Sequence, residues 1–208
     1  MRNKWFTAST IGAMAAAAAV TATTAAAAVA ADSSTGGVLP SVSVEVTDYV
    51  HLPSAELAKA QALVTASYRA VGISMVWSTD VRSEPTIGVR VVIIPRAMTQ
   101  KKCDDERISD AATGIAVSGA PDGPGRIAYI FYDRIERAAL GEGAPVFRGL
   151  GHVIAHEIGH LLLGENSHVE QGLMRPNWIP RETHLLTLTE SQVRQVWQRF
   201  AVTGLPDP

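Results

Sequence analysis

The sequence predicts an α+β fold: a small twisted mixed sheet packed on helices, with a central helix that carries the reactive side chains and a further helix at the C-terminus. Three observations lead there. Short β-branched segments, among them residues 42–46 and 89–94, recur through the first part of the chain. From Pro145 onward the pattern turns helical, with Leu150, Ile154, Ile158 and Leu161 recurring on one helix face. A second helical stripe, Val193, Val196, Trp197 and Phe200, closes the chain.

In chain order, residues 1–30 read as a secretory signal peptide and so stand outside the fold. Arg2 and Lys4 form its positive start, residues 11–20 are uncharged and mostly small and apolar, and Ala28-Val29-Ala30 offers a small-residue cleavage pattern. An uncleaved membrane anchor is the lesser reading, because Ala and Thr drive insertion only weakly. Residues 31–41, with Ser33-Ser34-Thr35-Gly36-Gly37, read as a flexible linker, and residues 42–208 as one domain.

Within that domain Val42, Val44 and Val46 alternate with Ser43, Glu45 and Thr47, the period-2 pattern of a half-buried strand. Pro53-Ser54 opens a helix, with Ser54 as N-cap, Glu56 at the positive end and Leu57, Gln61, Val64, Tyr68 and Val71 on one face until Gly72 ends it. Residues 73–77 and 89–94 are strands. The second is a continuous β-branched run closed by Pro95, as befits a strand buried on both faces. Residues 100–110 are too charged for a core and read as a surface loop. Residues 114–117 and 127–132 form an antiparallel hairpin across the turn-rich stretch 119–125. Gly164 stops the central helix, and Thr189-Glu190-Ser191-Gln192 is a capping-box pattern that starts the last one.

Taking the 30-residue leader from 208 leaves 178 residues, one domain of ordinary size with room for a core. Arg2 and Lys4 are the leader's only charges, so the mature chain keeps 16 basic against 20 acidic residues, a net charge of −4. No nucleic-acid partner is expected of such a chain. Cys103 is the only cysteine, which rules out an internal disulfide and a cysteine-based zinc site and leaves stability to the core. Its setting, Lys101-Lys102-Cys103-Asp104-Asp105, reads as an ordinary loop thiol rather than a latency device.

The chemistry lies in His156-Glu157-Ile158-Gly159-His160. Residues four apart on a helix differ by about 40° around the axis and about 6 Å along it, so His156 and His160 can point at one cation. Glu157 is about 100° round from His156, where its carboxylate can approach a metal-bound water without being a ligand. Zn2+ held by three side chains keeps a fourth position for water and lowers its pKa, and Glu157 is then the general base. His168 is the candidate third ligand, because Gly164 can turn the chain sharply and return it to the metal four residues later. Glu165, Glu170 and Glu190 compete for that role. His152 extends the histidine stripe but lies about 12 Å along the axis from His160, too far to share the ion, and is expected to play a supporting or surface part.

His156-Glu157-Ile158-Gly159-His160, Gly164, His168 and Gly172-Leu173-Met174 together resemble the metzincin clan of zinc endopeptidases. The resemblance covers residues 152–178 closely and the rest of the domain only in its order of elements. It implies a zincin-like fold, His156, His160 and His168 as zinc ligands, Glu157 as base, and Met174 in a turn beneath the metal. It also implies an edge strand above the cleft that pairs with extended substrate, for which residues 114–117 are the candidate. The chain departs from the clan in reading His-x3-Gly-x3-His, one residue longer in each gap, so the helix is expected to run one residue further before turning. Every tyrosine lies upstream of the zinc helix, so an oxyanion-stabilising side chain has to be sought among Arg175, Arg181 and His184.

The function expected from the sequence is thus an exported, secreted or periplasmic, zinc metallopeptidase acting on protein or peptide substrates. It is expected to be a monomer with no stable membrane association after signal cleavage. Two alternatives stand beside it: a thermolysin-like zinc hydrolase with Glu190 as third ligand, and a non-catalytic exported binding domain in which Glu165 or Glu170 closes a structural zinc site.

Overall fold

The computed structural model describes residues 40–77, 86–119, 126–164, 166–177 and 179–202. The leader, the linker before residue 40, most of the 119–125 turn and Glu165 lie outside the described residues. Among those described, the order is β1 (Ser41–Asp48), α1 (Ser54–Arg69), β2 (Ser74–Trp77), β3 (Thr86–Ile94), α2 (Arg96–Glu106), β4 (Gly114–Ser118), β5 (Arg126–Phe131), α3 (Tyr132–Gly141), α4 (Val146–Leu163) and α5 (Glu190–Val202). The five strands form one sheet in the order β2-β1-β3-β5-β4. Its pairings are parallel except the last, β4 against β5, which makes a mixed sheet and an α+β fold. No helix among the described residues is long and apolar enough to cross a membrane.

Strand side chains alternate between faces, and β3 shows what each face meets. Val89, Val91 and Ile93 join Val42, Val44, Ala128 and Ile130 in the main core with Val64 and Tyr68 of α1 and Leu150, Ile154, Ile158 and Leu161 of α4. Val92 and Ile94 point the other way, into a smaller cluster with Phe131 and Cys103. The β-branched run is therefore buried on both faces, as its composition implies. Helices α1 and α4 come close together at Gly151, where a Cβ would stand 3.0 Å from the Ala60 carbonyl oxygen and the Leu63 Cβ. The buried Tyr68 hydroxyl donates to the Ala155 carbonyl oxygen of α4 at 2.8 Å. This pins the middle of α4 against α1, one residue before His156.

Three local readings change. Residues 100–110 are not a surface loop: most of them belong to α2, which covers the second sheet face with Thr99 and Cys103 buried. The charges that argued for a loop instead pair along the helix, Lys101 with Asp105 and Lys102 with Glu106, each at 2.6 Å and each four residues apart. The strand read as running to residue 132 stops at Phe131, and Tyr132 opens α3, whose Ile135 and Ala139 are buried. Ser54 is the first helical residue rather than the cap; the Pro53 carbonyl accepts from the N–H groups of Glu56 and Leu57 instead. The capping box of α5 forms as read, with Thr189 N–H on Gln192 Oε1 at 3.1 Å and Gln192 N–H on Thr189 Oγ1 at 3.4 Å.

Candidate metal centre

Helix α4 runs three residues past His160 and ends at Leu163, followed by Gly164 at φ 92° and ψ −175°. That conformation belongs almost solely to glycine, and it is extended rather than left-handed helical. Asn166 follows at φ 59°, a left-handed position that asparagine tolerates. Two positive-φ residues close together let the longer spacing double back, and His168 returns to the helix face.

The three Nε2 atoms of His156, His160 and His168 lie 3.1, 3.1 and 3.2 Å from one another. Three nitrogens held tetrahedrally by zinc at about 2.0–2.1 Å are ~3.3–3.4 Å apart, so the triangle fits a metal of that size within a few tenths of an ångström. The partners of the opposite ring nitrogens fix which lone pairs converge. His156 Nδ1–H donates to the Leu173 carbonyl oxygen at 2.9 Å, and His160 Nδ1 pairs with Ser167 Oγ at 2.9 Å. With Nδ1 protonated and Ser167 accepting, the Nε2 lone pairs of both rings face one point with no proton between them, a repulsive arrangement that a cation relieves. Burial, then the neighbouring His156 and His168, push His160 down to about 4; burial lowers His156 as well, against the opposing Leu173 bond. Neutral imidazoles are the ligand form at neutral pH.

Among the described residues no carboxylate joins the group of three histidines. Glu190 is 95% exposed and pairs with Arg194 at 3.9 Å, and Glu170 is exposed beside a neighbouring cavity. Glu157 is buried next to the ligands, and burial pushes its carboxyl up to about 8. It lies under Gly114 of β4, where a Cβ would come within 2.8 Å of Glu157 Cγ and Oε1. Edge strand β4 thus crosses directly over the carboxylate, and only a glycine leaves room there.

The three histidines and Glu157 open on a cavity of about 720 Å3. Residues 111–116 and Ser118 wall it on one side, and Leu173, Arg175, Pro176, Pro180 and Leu186 on the other. Beneath the three histidines, the fully buried Met174 sits against Gly159. Its turn is held by Leu173 N–H on the Thr187 carbonyl oxygen at 2.8 Å and Val169 N–H on the Met174 carbonyl oxygen at 3.1 Å. Of the three basic side chains considered for the oxyanion, only Arg175 lines this cavity. Arg181 is 71% exposed and bonds to Glu142, and His184 is 70% exposed and bonds to Glu182 at 2.6 Å.

Sequence reasoning missed the part played by Ser167 and read Gln192 only as a member of the α5 cap. Ser167 orients His160, and Gln192 Nε2–H donates to the Ser167 carbonyl oxygen at 2.8 Å, fastening the ligand loop to the start of α5. The position of Ser167 directly before a candidate ligand was the only available signal, and a serine there is indistinguishable from any polar loop residue. Comparison of the chain with protein-family models finds no match, and comparison with curated proteins finds none either.

Proposed function

We propose that this chain is an exported zinc-dependent endopeptidase of zincin-like fold, similar to the metzincins, that cuts peptide bonds in protein or peptide substrates. The observation that carries the reading is the convergence of three Nε2 atoms within 3.2 Å beside a buried glutamate that is not one of them. A structural zinc site is closed by four protein ligands; a trihistidine set beside an open cavity leaves room for water and substrate. Bound zinc supplies a Lewis acid for the scissile carbonyl and acidifies water toward neutral pH. Glu157 takes the proton of the attacking water on its carboxylate and returns it to the departing amine nitrogen. Among the described residues strand β4 pairs with β5 on one side only, and its outer backbone edge, standing over Glu157, suits an extended peptide. The order of strands and helices before α4 and the methionine turn after it are consistent with the same family.

The test is metal content and peptide cleavage measured on the same preparations. One zinc per chain, weakened by His168→Ala, with chelator-sensitive cleavage is expected. Glu157→Gln is expected to keep the zinc and lose roughly 10²–10⁴-fold in rate. Undiminished cleavage by Glu157→Gln, or stoichiometric zinc with no cleavage of a diverse peptide mixture, defeats the proposal. The second outcome points to a zinc-stabilised binding domain.

A further inference from the structure

Four histidines line the cavity, and the metal centre uses three. The fourth, His152, stands one turn before His156 on α4, is 3% exposed, and has an Nδ1 with no hydrogen-bond partner. Arg175, which lines the same cavity, turns its Nη atoms to Glu182, while its Nε is likewise buried and unpartnered. Buried polar groups left without partners are costly, and two of them on side chains that line one cavity point to a partner that arrives from outside and is met when those side chains turn toward it. The surroundings set the sign of its charge. Arg175 and Arg148 act on His152 as positive groups, facing the carboxylate of Glu182 at this end, while Glu157 lies beside the three histidines. Around this polar end the cavity wall is apolar, formed by Val153, Leu173, Pro176 and Leu186. A methylene stem with a carboxylate at its tip matches that arrangement.

We propose that this end of the cavity is a carboxylate subsite, in which His152 and Arg175 select an Asp or Glu residue next to the scissile bond. The assignment rests on the peptidase reading above. One helical turn separates His152 from His156, about 6 Å along the axis, a distance that an acidic side chain spans from a residue neighbouring the bond being cut. Held in place by Glu182, Arg175 offers a planar donor edge, and His152 adds a ring nitrogen. Neither residue is assigned a part in the bond-breaking step.

The experiment uses the full mature chain in its Glu157→Gln form and a set of peptides in which a single Glu, Gln or Leu is walked through an otherwise constant sequence. Binding is read by calorimetry. At one position the Glu peptide is expected to bind at least tenfold tighter than its Gln and Leu counterparts, as charge-assisted hydrogen bonds provide. His152→Leu is expected to reduce that ratio to about one. His152→Gln, closer to histidine in polarity and size, is the companion variant should the leucine chain not fold, and it is expected to reduce the ratio severalfold; zinc content reports that the neighbouring centre is intact. Equal binding of the Glu and Gln peptides at every position, including no binding of either, overturns the subsite. So does a ratio unchanged by both variants. Cleavage of the same peptides by the chain with Glu157 restored separates the two ideas: a Glu preference without cleavage fails the peptidase reading alone, and cleavage without preference fails the subsite alone.

Discussion

Replacing Gly159 with alanine sets two effects of opposite sign against each other beneath the three histidines. Gly159 is inside α4, where an alanine is normally favoured over glycine by about 1 kcal/mol. Here the added methyl would overlap the Met174 sulfur and stand 3.1 Å from its Cε, with the Tyr68 hydroxyl oxygen at 3.5 Å behind. Met174 is fully buried and has nowhere open to swing. Overpacking of this kind costs ~1–3 kcal/mol, and an overlap this deep belongs at the upper end, leaving a net loss of about 2 kcal/mol after the helix gain. For a domain of this size that is a fall of roughly 4–8 °C in melting temperature. Displacing Met174 also moves Leu173, whose carbonyl orients His156, so zinc affinity should weaken by about tenfold or more. The assay is thermal unfolding of the zinc-free and zinc-loaded chain, with a competition measurement of zinc affinity. Met174→Ala in the same chain should recover part of both losses by making room. Gly141→Ala, where nothing lies within 4 Å of the new carbon, is the control and should be neutral or mildly stabilising. A Gly159→Ala chain as stable as the parent, with unchanged zinc affinity, would refute the packing argument.

Further predictions concern the other supports of the site. Gly114→Ala should force β4 away from Glu157 and lower kcat/KM by at least tenfold while zinc content stays at its parent value; a fully active variant would show that the strand does not press on the base. Ser167→Ala should weaken zinc binding by roughly 10–100-fold, because His160 loses the partner that orients it; equal affinities by competition titration would contradict this. His152 is pushed down to about 4, first by burial and then by Arg175, Arg148 and His184. Between its ordinary value of 6.5 and about 4 the unfolded chain therefore binds the extra proton, and stability falls as pH drops through that window, by ~3 kcal/mol from this group. Urea unfolding of the chelator-treated chain should show a shallower loss between pH 6.5 and 4 in His152→Gln than in the parent, and parallel curves would exclude the effect.

The parts of the fold governed by short-range periodicity were legible in the sequence. The strand at Val42 and Val44, the stripe of α4 and the capping box of α5 all appear in the structure, but the alternation expected of that strand does not hold, since Ser43 is buried as well and Val46 is only half-buried. What was not legible depended on partners distant in sequence. Residues 100–110 look like a loop because they are densely charged, and only the second sheet face at Val92, Ile94 and Phe131 explains why Thr99 and Cys103 are worth burying there. Helix α3 went unread although Ile135 and Ala139, four residues apart, are buried on one face; its partner, α4, comes later in the chain. At the site, His156 and His160 follow from helix geometry alone, whereas the return of His168 depends on backbone angles at Gly164 and Asn166 that spacing does not reveal. The orphaned nitrogens of His152 and Arg175 become visible only when the cavity exists.

The amide of Gln192 gives its oxygen to the cap of α5 and its nitrogen to the loop that carries His168. The last helix is consequently a latch on the ligand loop, and it is fastened late. The three histidines and the latch lie between residues 156 and 192, after the last described strand. During synthesis from the N-terminus every strand of the sheet is present before the ligand loop, and the loop is present before the residue that holds it. The order of assembly is thereby written into the order of the residues: scaffold first, ligands second, fastening last, so that an incomplete chain lacks the bond that seats His168.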